Sequence, residues 1–459
     1  MKPARAFFFL FSVLSLFILL SWLINDLRKP VIVPAHPEIA DLSPPPAPAM
    51  SDSSQTVVPA RQDSTVEQNG KSPLPEHTDG FLFSADDTVR LQPFRKKLKD
   101  LQHEQQPVRV LYFGDSQIEG DRITATLRDQ FQGRFGGAGP GLIAADKYYH
   151  TGHQLIMNRS DNWKLADFMD REELNPSLLF RHARLTAGDG EGWFRINRLK
   201  FSKSKPDFSV LKLFFLSTGL CHINIEADGV PTDTVISNTP NQLQCIRIPF
   251  QQTPNDLRIR FSPSDSLTVT SLSLESPTGL LVDNISLRGL SYPTFTRSDR
   301  QALKNMLDEM NPGLFILHFG VNLVPWPSED YALFRRSFTR QIRFLKEHCP
   351  SAPILIIGVS DMSQRVEGAF VSYPNIQQIK QLQHEIAAET HCVFFDLEAY
   401  MGGPGSMVDW VTAQPPLART DYTHFTGEGA KKIGLELARL LLEEREQEQE
   451  QHTTTWNSR

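Results

Sequence analysis

The chain has 459 residues, 22% of them charged, and a formal net charge of −6. That is enough length for a large core or for two domains, and the acidic balance, with no basic stripe interleaved with aromatics, argues against a nucleic-acid partner. The four cysteines, Cys221, Cys245, Cys349 and Cys392, form no CxxC pair, which excludes a zinc ribbon and a thioredoxin-like motif.

Residues 1–29 read as a signal anchor. Lys2 and Arg5 precede an uncharged run from Phe7 to Ile24, rich in Phe and Leu, and at 1.5 Å per residue such a run just spans a bilayer core of ~30 Å. A cleaved signal peptide is the competing reading, but the end of the run, Ser21-Trp22-Leu23-Ile24-Asn25, lacks the small residues of a cleavage site. The expectation is a single-pass inner-membrane protein with its bulk in the periplasm, although Arg28 and Lys29 beyond the span leave the orientation loosely set. Residues 30–77 carry many Pro and Ser, including Pro44-Pro45-Pro46-Ala47-Pro48, and no hydrophobic period, which makes them a linker.

From there the pattern predicts a catalytic domain over 78–135 and 282–446, interrupted by a β-domain at 136–281, with a disordered tail over 447–459. Val108 to Phe113 is a short apolar run that suits a buried parallel strand, and it feeds Gly114-Asp115-Ser116. Helical spacing follows over Arg122 to Phe135. Gly136-Gly137-Ala138-Gly139-Pro140-Gly141 reads as a loop lining the mouth of the site; with no Lys-Ser or Lys-Thr after it, it is not a phosphate loop. Within 136–281, alternating runs at Val210–Phe214, Cys221–Ile225 and Leu257–Phe261 are separated by turn residues, the mark of an antiparallel sandwich.

Trp163, Trp193 and Phe214 have two readings there, a sugar-stacking face or core. His150 and His153 with Asp146 nearby invite a metal reading, but no helix aligns them and no metal is assigned. Cys221 with Cys245 and Cys349 with Cys392 would suit disulfides in an exported chain, each worth roughly 3 kcal/mol; four buried free thiols are the alternative. After the insert, strands at Leu314–Phe319, Pro353–Gly358 and Val393–Asp396 alternate with helices near Tyr331–His348, Ile376–Thr390 and Glu428–Leu442. That alternation predicts an α/β fold with a doubly wound parallel sheet, whose ligand crevice lies at the carboxyl ends of its strands.

Ser116 ends the first strand, and Asp421-Tyr422-Thr423-His424 comes late in the chain. Ester cleavage needs a hydroxyl, a base within ~3 Å and a group that fixes the base's tautomer, which are the roles open to Ser116, His424 and Asp421. Candidate donors to the developing oxyanion are the Ser116 N–H, the Gly289 N–H after the run Asn284–Arg288, and the Asn322 amide after Phe319-Gly320-Val321. Gly289 also reads as an ordinary turn glycine and Asn322 as a cap. Asp361, after a strand, reads as a loop cap that reaches the same crevice. None of this chemistry calls for a cofactor.

Gly114-Asp115-Ser116, Gly289, Gly320-x-Asn322 and Asp421-x-x-His424 together resemble the four ordered blocks of the SGNH, or GDSL, hydrolase superfamily. The resemblance implies a flavodoxin-like three-layer sheet, Ser116 as nucleophile, His424 as base, Asp421 as its partner, and an oxyanion hole of Ser116, Gly289 and Asn322. It also implies that Asp115 serves loop geometry. A narrower likeness is to membrane-anchored or periplasmic peptidoglycan O-acetylesterases and O-acetyltransferases that carry a carbohydrate-binding-like β-domain between the first two blocks. Departures are Gln117 after the serine and a second block reading Leu287-Arg288-Gly289-Leu290-Ser291; a glycine of the 136–141 run is the alternative for that block. The expected activity is O-acetyl removal from an envelope glycan, with transfer to a sugar hydroxyl by the same residues, or an inactive glycan-binding scaffold, as the alternatives.

Overall fold

The computed structural model describes residues 84–145, 150–151, 155–167, 181–198, 207–237 and 242–442. The anchor at 1–29, the linker at 30–77 and the tail at 447–459 lie outside them. Among the described residues no helix is long and apolar enough to cross a membrane.

The strands in chain order are β1 (Val108–Gly114), β2 (Gly141–Ala144), β3 (His150–Thr151), β4 (Leu155–Arg159), β5 (Lys164–Asp167), β6 (Arg181–Thr186), β7 (Gly192–Arg198), β8 (Val210–Ser217), β9 (Cys221–Ala227) and β10 (Val230–Ser237). They continue as β11 (Gln244–Pro249), β12 (Asp256–Pro263), β13 (Ser266–Glu275), β14 (Leu280–Ser286), β15 (Pro312–His318), β16 (Ile354–Ile357), β17 (Ser363–Val366), β18 (Ala369–Ser372) and β19 (Val393–Phe395). The helices are α1 (Ala85–Lys99), α2 (Thr124–Phe135), α3 (Arg300–Met310), α4 (Ala332–His348), α5 (Ile376–Glu389), α6 (Leu397–Met401), α7 (Ser406–Thr412) and α8 (Gly427–Leu442).

The chain is mixed α/β. One sheet is parallel, in the order β14-β1-β15-β16-β19. Its strands are apolar on both faces because both faces are covered: Leu111, Phe113, Phe315 and Leu317 point to α3, α4 and α5, while Val110, Tyr112, Leu314 and Ile316 point to α1, α2 and α8. The spacing of Phe334, Phe338, Ile342 and Leu345 puts one apolar stripe of α4 against that sheet. Each such side chain fully buried contributes about 1.5–3 kcal/mol.

Two antiparallel sheets, β10-β9-β12-β7-β4-β3 and β11-β8-β13-β6-β5 with β2 also on β13, share a second core of Phe194, Ile223, Ile259, Leu213, Phe215 and Leu272. Period-two alternation makes β8 double-sided. Leu211, Leu213 and Phe215 face that core, while Phe214 faces the core of the parallel-sheet half.

Several expectations are corrected here. Trp163 stacks on Phe194 at 4.7 Å with Phe261 edge-on at 5.4 Å, and Phe214 is wholly buried, so neither offers a sugar face; both are core. Trp193 is half-buried.

All four cysteines are free. Cys221 lies in the core between the antiparallel sheets, whereas Cys245 packs against the other core, so the two face away from each other. Cys392 is buried and takes a hydrogen bond from Thr390 Oγ1 at 3.2 Å, and Cys349 caps α4. Burial pushes the thiols of Cys221 and Cys349 up to about 11 and that of Cys245 to about 12.

The glycine run 136–141 is not at the mouth of the site. A Cβ on Gly137 would strike the Leu280 backbone, and Leu280 pairs with Val108 at the amino end of β1. These glycines let the chain pass closely beneath β13 and β14 at the end of the sheet away from Ser116.

Candidate active site

Strand β1 is buried along its whole length and stops at Gly114, where a Cβ would lie 2.9 Å from the Ile118 side chain and 3.1 Å from the His318 carbonyl. Asp115 then caps a 3₁₀ turn spanning Ser116–Asp121 by accepting from the Gln117 N–H at 3.0 Å. Helix α2 begins only at Thr124, later than the sequence spacing suggests. Gly120 and Asp121 have positive φ, and the Asp121 carboxylate is held by Arg128 at 2.7 and 3.0 Å. The turn therefore presents Ser116 at the carboxyl edge of the parallel sheet.

The loop between α7 and α8 brings His424 to the same edge. Its backbone folds back on itself: Arg419 N–H donates to the His424 carbonyl at 2.8 Å, Tyr422 N–H to the Arg419 carbonyl at 3.0 Å, and Ala418 bridges Phe425. Phe425 is fully buried against Trp410 and anchors the loop. Tyr422, at φ +54°, stacks on Phe370 of the β17–β18 hairpin at 3.6 Å.

Ser116 Oγ stands 2.8 Å from His424 Nε2. His424 Nδ1 stands 2.9 Å from Asp421 Oδ2, and Asp421 Oδ1 accepts from the Thr423 and His424 N–H groups at 3.0 and 2.9 Å. Partial burial pushes the Asp421 carboxyl up, but those hydrogen bonds outweigh it and hold it below its ordinary value. An ionised carboxylate only accepts, so Nδ1 carries the proton and Nε2 is left as the acceptor for the serine hydroxyl.

Asn322 lies in the 3₁₀ turn after β15 and donates from Nδ2 to the Leu290 carbonyl at 2.9 Å, which leaves its second amide N–H for another acceptor. Gly289 sits at φ +81° in the turn closed by Leu290 N–H on the Leu287 carbonyl, the position where a type II turn needs a left-handed residue. Both turns follow strands that flank β1, and they are tied together by that Asn322 bond. Leu287 N–H donates to the Gly114 carbonyl at 2.7 Å, which joins them to the Ser116 turn.

Asp115 is fully buried beneath the serine. Burial raises its carboxyl to about 7, against the opposing pull of the Gln117 N–H, the Arg122 charge and the Val321 N–H. His318 beside it is buried and hydrogen-bonded to the Tyr112 hydroxyl at 3.1 Å; burial lowers it to about 3, so it is neutral. Asp361 is buried and accepts from the Met407 N–H at 2.8 Å, a cap on α7.

Some neighbours have no counterpart in the sequence reading. Arg122 donates to the Ser116 carbonyl. Gln117, 1% exposed, reaches from the Ser116 turn to the Thr423 carbonyl at 2.8 Å; a polar side chain next to the serine is its only trace in the sequence. Trp326 is 76% exposed in the loop after Asn322.

Among the described residues no group of three His, Cys, Asp or Glu side chains could hold a metal, and His153 and Asp146 lie outside those residues. A cleft lined by Leu98, Gln102, Arg134 and Gly279 opens at the amino ends of the strands, remote from Ser116.

The fold is shared with a solved peptidoglycan O-acetylesterase at a TM-score of 0.61 and 21% identity, covering 76% of this chain and 95% of that one. That likeness is one of fold. Much weaker likenesses include a family two carbohydrate esterase from Cellvibrio japonicus (TM-score 0.22, 10% identity, 62% of this chain and 96% of that one). Another is a putative GDSL-like lipase from Parabacteroides merdae (TM-score 0.26, 12% identity, 35% and 74%). No protein-family model and no curated protein matches the sequence.

Proposed function

We propose that the chain is a serine esterase that removes O-acetyl groups from a glycan of the cell envelope, peptidoglycan in first place, working in the periplasm from an N-terminal inner-membrane anchor. The observation that carries the reading is the unbroken row Ser116 Oγ, His424, Asp421, with contacts of 2.8 and 2.9 Å. His424 Nε2 takes the serine proton as Oγ bonds to the acetyl carbonyl carbon, and returns it to the sugar oxygen as the ester C–O bond breaks. Water, losing its proton to the same nitrogen, then attacks the acyl-enzyme; acetate leaves and Ser116 regains its hydrogen. Asp421 keeps the imidazole in the right tautomer and balances its charge when protonated.

The Ser116 N–H, the Gly289 N–H and the free amide N–H of Asn322 act as the donors to the oxyanion. Support for a glycan rather than a small ester comes from the open edge of the site. Trp326, four residues past Asn322, and the stacked Phe370–Tyr422 pair offer flat apolar faces of the kind that cover sugar rings. The test is a serine-reactive phosphonate on the full chain, mapped by mass spectrometry, together with acetate release from O-acetylated peptidoglycan. An adduct on Ser116 and loss of acetate release in Ser116→Ala are expected. Acetate release that survives in Ser116→Ala would overturn the reading, and acetyl transfer to an added glycan in place of acetate would redefine the acceptor.

A further inference from the structure

We propose that Gln117 is a positioning residue that clamps the base loop onto the nucleophile turn; this rests on the reading of Ser116 and His424 given above. The two halves of the site come from opposite ends of the fold, 308 residues apart in the chain. What fixes their separation is therefore not local backbone. The Tyr422 stack on Phe370, the Phe425 anchor and the Ser363 N–H on the Tyr422 carbonyl at 3.1 Å hold the loop to its own side of the site.

Gln117 makes the direct side-chain tie from the nucleophile turn to the loop backbone. Its Nε2 donates to the Thr423 carbonyl at 2.8 Å and lies 3.5 Å from Ser360 Oγ, while its backbone N–H is held by Asp115 Oδ1 at 3.0 Å. The peptide between Thr423 and His424 is gripped at both ends, its carbonyl by Gln117 and its N–H by Asp421 Oδ1 at 2.9 Å. His424 hangs from that peptide, and Gln117 is bonded directly to Ser116. Any drift of the loop is felt at the reacting pair, where an error of about 1 Å costs on the order of 10²-fold in rate.

The clamp demands a donor, since the Thr423 carbonyl can only accept. Gln117→Glu keeps the shape and makes the donor titratable. As a neutral acid it can still donate to Thr423; once ionised it sets an acceptor against an acceptor. Burial raises the pKa of such a carboxyl, so the switch falls at a higher pH than for a free glutamate.

The experiment measures kcat and KM for p-nitrophenyl acetate against pH in wild type, Gln117→Glu and Gln117→Leu, with thermal melts of each. Gln117→Glu should show kcat falling about tenfold as pH rises, over a range where wild type does not fall, with KM nearly unchanged. Gln117→Leu should lose a similar factor at every pH with no such limb. A Gln117→Glu profile that tracks wild type overturns the clamp, as does a loss tracking the melting temperature at every pH. Imidazole resonances of ¹⁵N-histidine-labelled protein give a readout free of turnover: in Gln117→Glu the His424 signals should shift over the same pH window as the kcat limb, or, lacking turnover, over a window missing in wild type. If the wild type releases no acetate from any ester, the function reading fails alone, and the His424 signals still decide the clamp, since a titration identical to wild type overturns it.

Discussion

Strand β1 carries a polar cluster near each end, and the two have been built to opposite specifications. Near the amino end, Arg109 is completely enclosed. It donates to Asp283 at 2.8 and 2.9 Å, to Ser273 at 2.9 Å and to Glu275, while Lys212 lies 3.1 Å from Glu275 and donates to the Glu309 carbonyl at 2.8 Å. Two cations face two anions with no opening to solvent, and the cluster joins β1 and β14 of the parallel sheet to β8 and β13 of the antiparallel sheets. Beyond the carboxyl end, Ser116 and His424 meet at an open edge, Asp421 is half-exposed, and a proton can pass between neighbours. Polar residues in a core are not by themselves a sign of chemistry. What separates the clusters is whether the charges are matched and sealed or left with a basic nitrogen facing a hydroxyl.

The largest effect should come from breaking the sealed cluster. Arg109→Ala leaves Asp283 buried without its cation and Glu275 with Lys212 alone, and breaking a buried pair in this way typically costs about 3–5 kcal/mol. Chemical denaturation should show that loss, and activity should fall only in step with folding. If Arg109→Ala keeps wild-type stability yet loses turnover, the division between the two ends of β1 is wrong. At the open end, Asn322→Ala should do the reverse, lowering kcat by about 10²–10³, or 2.7–4 kcal/mol in the barrier, with only a small change in melting temperature. Steady-state kinetics beside a melt distinguishes the two outcomes.

The open end was far more legible in the sequence than the sealed one, and the reason is physical. Ser116, Asp421 and His424 occupy short segments whose residue types are demanded by bond-making, so they stand out at the end of an apolar strand and in a polar loop. Gly289 and Asn322 stand out in the same way as candidates, at the ends of apolar runs. Arg109 sits inside an apolar run and Lys212 inside an alternating one, and their partners are distant in the chain: Asp283 comes from β14 beside β1, and Glu275 from β13, which reaches Arg109 only once the two sheets have packed.

Large aromatics were ambiguous for the same reason. Trp163 and Phe214 look like ligand platforms until the opposing sheet that buries them is in place, while Trp326 lies in a loop with no period to mark it. The strand that begins at Leu280 was legible only from Asn284 onward, since Leu280–Asp283 carries no alternation to mark it.

The two ends should also answer pH in opposite senses. Glu275 is pushed up by burial, but the Arg109 and Lys212 charges win and hold it below its ordinary value. Its contribution is present above the unfolded pKa and is lost as pH falls through the lower folded one, that is, in acid below about 4.3. Asp115 is the mirror case, raised by burial to about 7. Between an unfolded value near ~3.9 and that folded value, the native state holds a proton that the unfolded chain has released, so stability falls as pH climbs. Asp115→Asn should remove that slope while leaving the acid limb in place, read as melting temperature against pH. An unchanged slope across that range in Asp115→Asn would show that Asp115 titrates normally despite its burial.

The smallest effect tests how far the open end extends. Trp326 is held out from the fold by its own turn, with its N–H on the Leu323 carbonyl at 3.0 Å and Val324 buried behind it. On the proposed reading a sugar ring would cover the Trp326 side chain, which is 76% exposed. Trp326→Ala should raise KM for O-acetylated peptidoglycan by about fivefold, roughly 1 kcal/mol, while KM and kcat for p-nitrophenyl acetate stay as in wild type, because a small ester never reaches the ring. Equal losses on both substrates would place Trp326 in support of the Asn322 turn instead, and no loss on either would move glycan contact away from this loop.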